Sequence, residues 1–330
     1  MTKSGSDAFA AGSSLRTFGD WLRFAEKLYA REKLAVGQVA TNAHDEALYL
    51  LLRTLRLPLD SEARVLGRKL TALERDELKE VFRRRVLGRV PAAYLTHEAW
   101  LGEYRFYVDE RVIIPRSYFL EIIAHQLNDW LPQGGAKVRR VADVCTGSGC
   151  LAILLAHHFP QARVDALDLS PEALAVAEIN VREHGLADRV HLYRSDVFDQ
   201  GPAAKYDVIL SNPPYEPSRL VDAQSPEFAA EPRMAHDGGA DGLEIIRKLL
   251  RQAGSRLTPG GIVLLEVGGL RAAMDREFAR LEPHWLQTDD GSDCVCVIQA
   301  ARGLSSSRRS STAAQAKSSG QKRSRQSKTR

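Results

Sequence analysis

Four consecutive residues, Asn212-Pro213-Pro214-Tyr215, combine groups suited to one kind of chemistry. Each proline removes an N–H and stiffens the turn. The tetrapeptide therefore presents acceptors: the Asn212 side-chain carbonyl and the Pro213 backbone carbonyl. Two acceptors at one place match the two hydrogens of an –NH₂ group, and Tyr215 offers a flat face for a planar group to stack on. An amide or exocyclic amino nitrogen shares its lone pair with a π-system and is a poor nucleophile. As it attacks an electrophile it becomes more tetrahedral and more positive, and its hydrogens become better donors. Carbonyls already fixed in place then bind the transition state more tightly than the ground state, and no strong base is needed. Orientation in line with the transferred group supplies much of the rest. Asn212, Pro213 and Tyr215 are the candidate catalytic residues.

A second group lies upstream, in Asp143-Val144-Cys145-Thr146-Gly147-Ser148-Gly149. By itself it has two functional readings. Gly147, Gly149 and Ala152 satisfy the G-x-G-x-x-A form of the dinucleotide fingerprint, and Asp168 follows at about the distance expected for an acid on ribose hydroxyls. That reading implies NAD. A pyrophosphate, however, needs a helix N-terminus free of nearby anions, and Asp143 would repel it. S-adenosylmethionine carries no phosphate, and its ammonium and sulfonium groups are favoured by an acid. The loop therefore favours S-adenosylmethionine as cofactor and methyl as the transferred group. A plain glycine-rich turn is the structural alternative. Asp143, Thr146, Gly147, Gly149, Asp168, Asp196 and Asn212 form the expected cofactor set, with Asp168 on the ribose and Asp196 accepting from the adenine amino group. No metal site is expected.

These residues need a scaffold that brings distant loops together. From about residue 119 the chain alternates apolar strands and amphipathic helices, with strands expected over 138–145, 163–168, 190–195, 206–211, 261–267 and 294–300. Helices are expected over 171–184 and 243–256. This is the pattern of an α/β doubly wound sheet, whose ligands bind beyond the carboxyl ends of the strands. Both groups sit there. Residues 16–91 read as helices, from the spacing of Phe18, Trp21, Leu22, Phe24, Ala25 and Leu28 and a capping box at Thr71 and Glu74. Asp45-Glu46 precedes a further apolar stretch, and Asp60 or Ser61 is a candidate cap for the next helix. Between them, at 92–116, Tyr104, Phe106 and Val108 alternate with polar residues around a turn at Leu101-Gly102-Glu103, a hairpin.

Charge is unevenly placed. The formal +4 of the 330 residues includes eight cations and no acid in residues 303–330, so residues 1–302 carry net −4. The Ser/Gln/Lys/Arg composition of 303–330 cannot bury a core. It reads as a disordered basic tail, either solubilising or making weak contacts with RNA or ribosome phosphates. Residues 1–15 read as a disordered lead-in without a signal-peptide core. No apolar run is long enough to span a membrane, and the protein is expected in the cytoplasm. Cys145, Cys150, Cys294 and Cys296 make no metal or disulfide framework. They read as buried thiols, Cys294 and Cys296 on opposite faces of a strand.

The N-P-P-Y tetrapeptide occurs in adenine N6 DNA methyltransferases, guanine N2 rRNA methyltransferases and protein glutamine N5 methyltransferases. Residues 89–117 separate these. Arg89-Val90-Pro91-Ala92-Ala93-Tyr94-Leu95-Thr96, then Phe106-Tyr107-Val108-Asp109-Glu110-Arg111-Val112-Ile113-Ile114-Pro115-Arg116-Ser117, resemble the linker hairpin of the protein glutamine N5-methyltransferase family. The resemblance covers about residues 20–300. It implies a Rossmann-like S-adenosylmethionine-dependent methyltransferase domain at 117–302, preceded by a helical substrate-recognition domain at 16–91 and the linker at 92–116. One branch of that family methylates release factors and shows P-R-P-E-T-E and D-L-G-T-G-S-G. Pro115-Arg116-Ser117 and Asp143-Val144-Cys145-Thr146 are instead similar to the branch that methylates a glutamine of ribosomal protein L3. The resemblance thus implies L3 as partner, with release factors as the alternative and a nucleic acid third. The acidic 1–302 suits a basic ribosomal protein. Glu231-Pro232-Arg233 and the segment 237–243 are shared by both branches. Tyr118-Phe119-Leu120 departs from the Pro-Ile-Gly common after P-R-S and adds aromatic bulk near the cofactor entrance.

Overall fold

The computed structural model describes residue 9 and residues 15–300. The expected lead-in lies outside these residues, apart from Phe9 and Leu15, and so does the basic tail 303–330. Helix α1 (Phe18–Glu32) starts at a capping box: Thr17 Oγ1 accepts from the Asp20 N–H, and Asp20 accepts from the Thr17 N–H. Two otherwise orphaned donors are satisfied there. The stripe read from the spacing is buried, with Phe18, Trp21, Leu22, Ala25 and Leu28 inward. Helix α2 (Ala43–Thr54) starts earlier than its apolar stretch, because Asn42 caps it and Asp45 and Glu46 occupy its first turn. The helix expected after Asp60-Ser61 is a single turn, Glu62–Val65, and Ser61 makes no side-chain cap bond. Helix α3 (Ala72–Val86) has the expected capping box at Thr71 and Glu74, and the short α4 (Ala92–Thr96) follows. These helices share one apolar core.

The hairpin pairs β1 (Ala99–Leu101) with β2 (Tyr104–Phe106), Leu101 opposite Tyr104. Helix α5 (Phe119–His125) then leads to the main sheet. Its strands are β3 (Arg140–Val144), β4 (Arg163–Asp168), β5 (Val190–Arg194), β6 (Tyr206–Ser211), β7 (Leu257–Glu266), β8 (His284–Trp285) and β9 (Val295–Gln299), in the order β5-β4-β3-β6-β7-β9-β8. β5 through β7 are parallel, and β9 is antiparallel to both its neighbours. Helices α6 (Cys150–His158), α7 (Pro171–Glu183), α8 (Glu244–Arg256) and α9 (Arg271–Glu277) cover the two faces. The chain enters the sheet at β3, moves outward to β5, then returns to lay β6 against the other side of β3. Loops leaving adjacent β3 and β6 therefore diverge and open a crevice, where doubly wound folds bind ligands.

Alternation along the strands divides the core. Val208 and Leu210 face α5 and α6, whereas Ile209 faces α8. All four cysteines are free thiols. Cys294 and Cys296 do lie on opposite faces, although residues two apart in a strand share one. Cys294 precedes β9 and packs with Val295 and Val297, whereas Cys296 lies within the strand beside Ile298. Among the described residues no helix is long and apolar enough to cross a membrane, and no cluster of His, Cys, Asp and Glu forms a metal site.

Candidate active site

A cavity of about 840 Å³ lies at the carboxyl ends of β3, β4, β5 and β6. Its floor is the loop between β3 and α6. Cys145 (φ +63°), Gly147 (φ +54°) and Gly149 (φ +80°) are all left-handed, which turns the chain sharply into α6. A Cβ on Gly149 would stand 3.1 Å from that of Ala177, so glycine lets α6 begin against α7. Asn180 fixes the same junction. Its Nδ2 donates to the Ser148 carbonyl (2.8 Å) and the Tyr107 carbonyl (3.1 Å), and its Oδ1 accepts from the Tyr107 N–H (2.7 Å). A second strained residue, Val197 (φ +56°), borders the cavity after β5. Left-handed geometry at a β-branched residue costs on the order of 1–3 kcal/mol and persists only where surrounding structure enforces it.

The expected cofactor residues fall into two groups. Thr146, Gly147, Asp168, Asp196 and Asn212 line the cavity, whereas Gly149 and Asp143 do not. Asp143 is wholly buried beneath the loop, where its Oδ2 accepts from the Thr146 hydroxyl at 2.5 Å. Its Oδ1 has no hydrogen-bond partner among the described residues. Burial pushes the carboxyl up to about 7, against the pull of the Thr146 hydroxyl. Asp143 thus fixes the loop through the Thr146 hydroxyl and does not touch the cavity. Asp168, at the end of β4, accepts from the Gly147 N–H (2.8 Å) and the Ser170 N–H (2.9 Å). Burial raises its carboxyl, and those two amides oppose the rise. Each oxygen retains a lone pair for a hydroxyl. Asp196 pairs with Lys248 Nζ at 2.7 Å, a partner on α8.

Asn212, Pro213 and Tyr215 form the wall beyond β6. Ser211 Oγ donates to the Val144 carbonyl at 2.6 Å and joins the ends of β6 and β3. The Asn212 side chain is pinned by one end, with Nδ2 donating to Glu266 Oε1 at 3.1 Å. Glu266 ends β7, is 3% exposed, and takes two further donors on Oε2: Ser117 Oγ at 2.5 Å and the Tyr118 N–H at 3.2 Å. Burial pushes its carboxyl up to about 7, with those donors pulling the other way. Tyr215 rests on Gly268, where a Cβ would come within 2.5 Å of the ring's Cε2. Burial holds its phenol well above the usual range.

A strap over residues 224–236 closes the far side, and buried ion pairs hold it from both ends. Glu231, with no exposed side-chain surface, receives the Arg116 guanidinium in a two-pronged pair (2.6 and 2.7 Å) and the Ile114 N–H at 3.1 Å. His236 Nε2 lies 2.9 Å from the same carboxylate. Burial would raise Glu231, but the Arg116 fork and His236 hold it down at about 2. Glu227 accepts from Arg89 at 2.7 Å, and its carbonyl accepts from Gln38, so the helical layer grips the strap directly. Charge follows the same division: residues 16–98 carry net +4 and residues 99–302 net −8.

Sequence reasoning singled out neither Glu231 nor Glu266 as a site residue, and it passed over Asn180. Glu266 has a signal of its own: like Asp143 and Asp168, it is an acid at the carboxyl end of an apolar strand. Asn180 has none, since a polar residue in an amphipathic helix reads as solvated.

Residues 123–226 match the profile of the Methyltransferase small domain. The ribosomal protein uL3 glutamine methyltransferase of Neisseria gonorrhoeae is 44% identical over 288 residues, 87% of this chain and 96% of that protein. The enzyme of the same description from Burkholderia pseudomallei is 44% identical over 87% of this chain and 95% of its own length. That from Bordetella pertussis is 43% identical over 86% and 95%. A solved ribosomal protein L11 methylase from Lactobacillus delbrueckii subsp. bulgaricus is 22% identical over 56% of this chain and 77% of its own, with a TM-score of 0.38.

Proposed function

The chain belongs to the family of ribosomal protein uL3 glutamine methyltransferases, and from that premise we propose that it methylates the N5 side-chain amide of a glutamine in ribosomal protein uL3, with S-adenosylmethionine as donor. The observation that carries this is the pairing of Asn212 Nδ2 with Glu266, which leaves the Asn212 carbonyl as the group free to receive a substrate N–H. The cofactor reading is supported by Asp168, a half-buried carboxylate on the cavity wall with no cationic partner among the described residues. Such an acid suits an occupant that carries hydroxyls.

When bound, S-adenosylmethionine supplies an electrophilic methyl on a sulfonium. Asp168 is the residue that would hold ribose hydroxyls, Asp196 the adenine amino group, and the Thr146–Gly147 turn the remainder, with Asp143 holding that turn from beneath through the Thr146 hydroxyl. Asn212 Oδ1 and the Pro213 carbonyl orient the two N–H groups of the glutamine amide, and Tyr215 presents a flat face to its plane. As that nitrogen takes the methyl, the sulfur–methyl bond would break to leave a neutral thioether and the nitrogen would turn positive. Both carbonyls would bind its hydrogens more strongly, which lowers the barrier without a general base, and one hydrogen would then be lost to solvent as a proton. The strap and the Arg116–Glu231 clamp keep water from the buried side. Desolvation strengthens each of these dipoles.

The helical layer at 16–91 would dock the protein substrate; being net positive it adds no attraction for a basic one, which would come from the net −8 of residues 99–302. The test is transfer of labelled methyl to purified uL3, release factors and rRNA in parallel. Labelling of uL3 is the expected result. Labelling of release factor alone would overturn the substrate assignment.

A further inference from the structure

We infer that Glu266 is a positioning residue that decides which end of the Asn212 carboxamide faces the cavity. The two ends of a carboxamide are alike in shape and opposite in polarity, so packing alone does not choose between them. Turned the wrong way, Asn212 would present N–H donors to a substrate amide that itself offers N–H donors. Ionised, as above about pH 7, Glu266 accepts and does not donate. Oε1 of Glu266, 3.1 Å from Asn212 Nδ2, therefore selects the nitrogen end and leaves Oδ1 outward.

Glu266 is itself held. Its other oxygen takes the Ser117 hydroxyl and the Tyr118 backbone N–H, and the latter is a donor that cannot reverse. Ser117 belongs to the segment that Arg116 clamps to Glu231. The linker, β7 and the turn after β6 are thus joined in one chain of hydrogen bonds that ends on the Asn212 amide. The charge of Glu266 is faced by Arg116 from the linker, Tyr215 from the loop after β6 and Cys294 from the approach to β9. This role rests on the reading of Asn212 as acceptor of a substrate N–H.

The isosteric variant Glu266→Gln separates orientation from packing. The Tyr118 N–H keeps the Gln oxygen on its own side, so the Gln –NH₂ faces Asn212 and turns its carbonyl inward. With uL3 as substrate, Glu266→Gln should lower kcat by about a hundredfold, as for loss of a transition-state stabiliser. KM for uL3 and Kd for S-adenosylmethionine should move no more than about threefold, because such a group acts mainly in the transition state. Because Glu266 acts through Asn212, the double variant Glu266→Gln/Asn212→Ala should be no slower than Asn212→Ala, and its thermal unfolding should stay cooperative. Wild-type kcat in Glu266→Gln, or a double variant that loses the product of the two single effects, would overturn the inference. If Glu266→Gln does not fold, Ser117→Ala serves, with a kcat loss of a few-fold that vanishes when Asn212 is already Ala; unchanged kcat there overturns it equally. Failure of wild-type protein to methylate uL3 while binding cofactor would instead refute the substrate reading.

Discussion

Replacing Arg116 by Met removes the guanidinium but keeps an apolar stem, and the cost can be worked from Glu231. That carboxylate has no exposed surface and sits at about 2 instead of its ordinary 4.5. A difference of that size corresponds to about 3 kcal/mol of folding stability. Breaking a buried ion pair by removing one partner costs about 3–5 kcal/mol. The Ile114 N–H and His236 remain on Glu231 in the variant, which favours the lower end, so Arg116→Met should cost about 3 kcal/mol. Because the carboxyl is held below its unfolded value, this stability is complete above about pH 5 and declines as pH falls toward 2. The assay is urea unfolding at pH 7.5 of wild type, Arg116→Met, Glu231→Gln and the double variant. The coupling energy between the two sites should exceed about 1.5 kcal/mol, as for residues sharing one buried network. A loss below about 1 kcal/mol, additive with Glu231→Gln, would show the pair to behave as an exposed one and would refute its role as the clamp between linker and strap.

Three further outcomes are expected. Asn212→Ala should cut turnover on uL3 about a hundredfold or more while cofactor affinity, measured by calorimetry, changes much less; collapse of that affinity would make Asn212 a cofactor or folding residue. Asp143 holds its proton up to about pH 7 in the fold, so it contributes stability at low pH that is lost as pH rises through 7. Asp143→Asn lacks this titration and should gain in Tm relative to wild type between pH 5 and 8, with an unchanged difference counting against burial as the cause. Deleting residues 303–330 should leave activity on isolated uL3 largely intact, and a large loss would assign substrate recognition to the tail.

Much of the scaffold was legible because its signals are local. β4 and β6 match the residues read from apolar runs bounded by turns, Arg163–Asp168 and Tyr206–Ser211. The capping box at Thr71 lies within four residues and was equally plain. β8 has only two residues and no period to detect. β7 starts at Leu257, earlier than expected, because its pairing with β6 shifts register across Thr258-Pro259-Gly260-Gly261, a stretch that reads as a turn. The site was legible where backbone chemistry is written in the sequence, as in Asn212-Pro213-Pro214-Tyr215 and the loop glycines. It was not legible where an acid's meaning depends on a distant partner. Arg116 meets Glu231 across 115 residues, and Ser117 meets Glu266 across 149. Asp143 shows the same limit in another form. Its charge could be read, but not that it lies behind the loop instead of on the cavity wall.

The most direct test of glutamine N5 methylation is mass spectrometry of uL3 after incubation with this protein and methyl-labelled S-adenosylmethionine, read residue by residue. The expected product carries one methyl on the side-chain amide of a glutamine, absent when Asn212 is Ala. A methyl on lysine, arginine or the chain terminus, or no transfer to uL3 by protein that binds the cofactor, would contradict it.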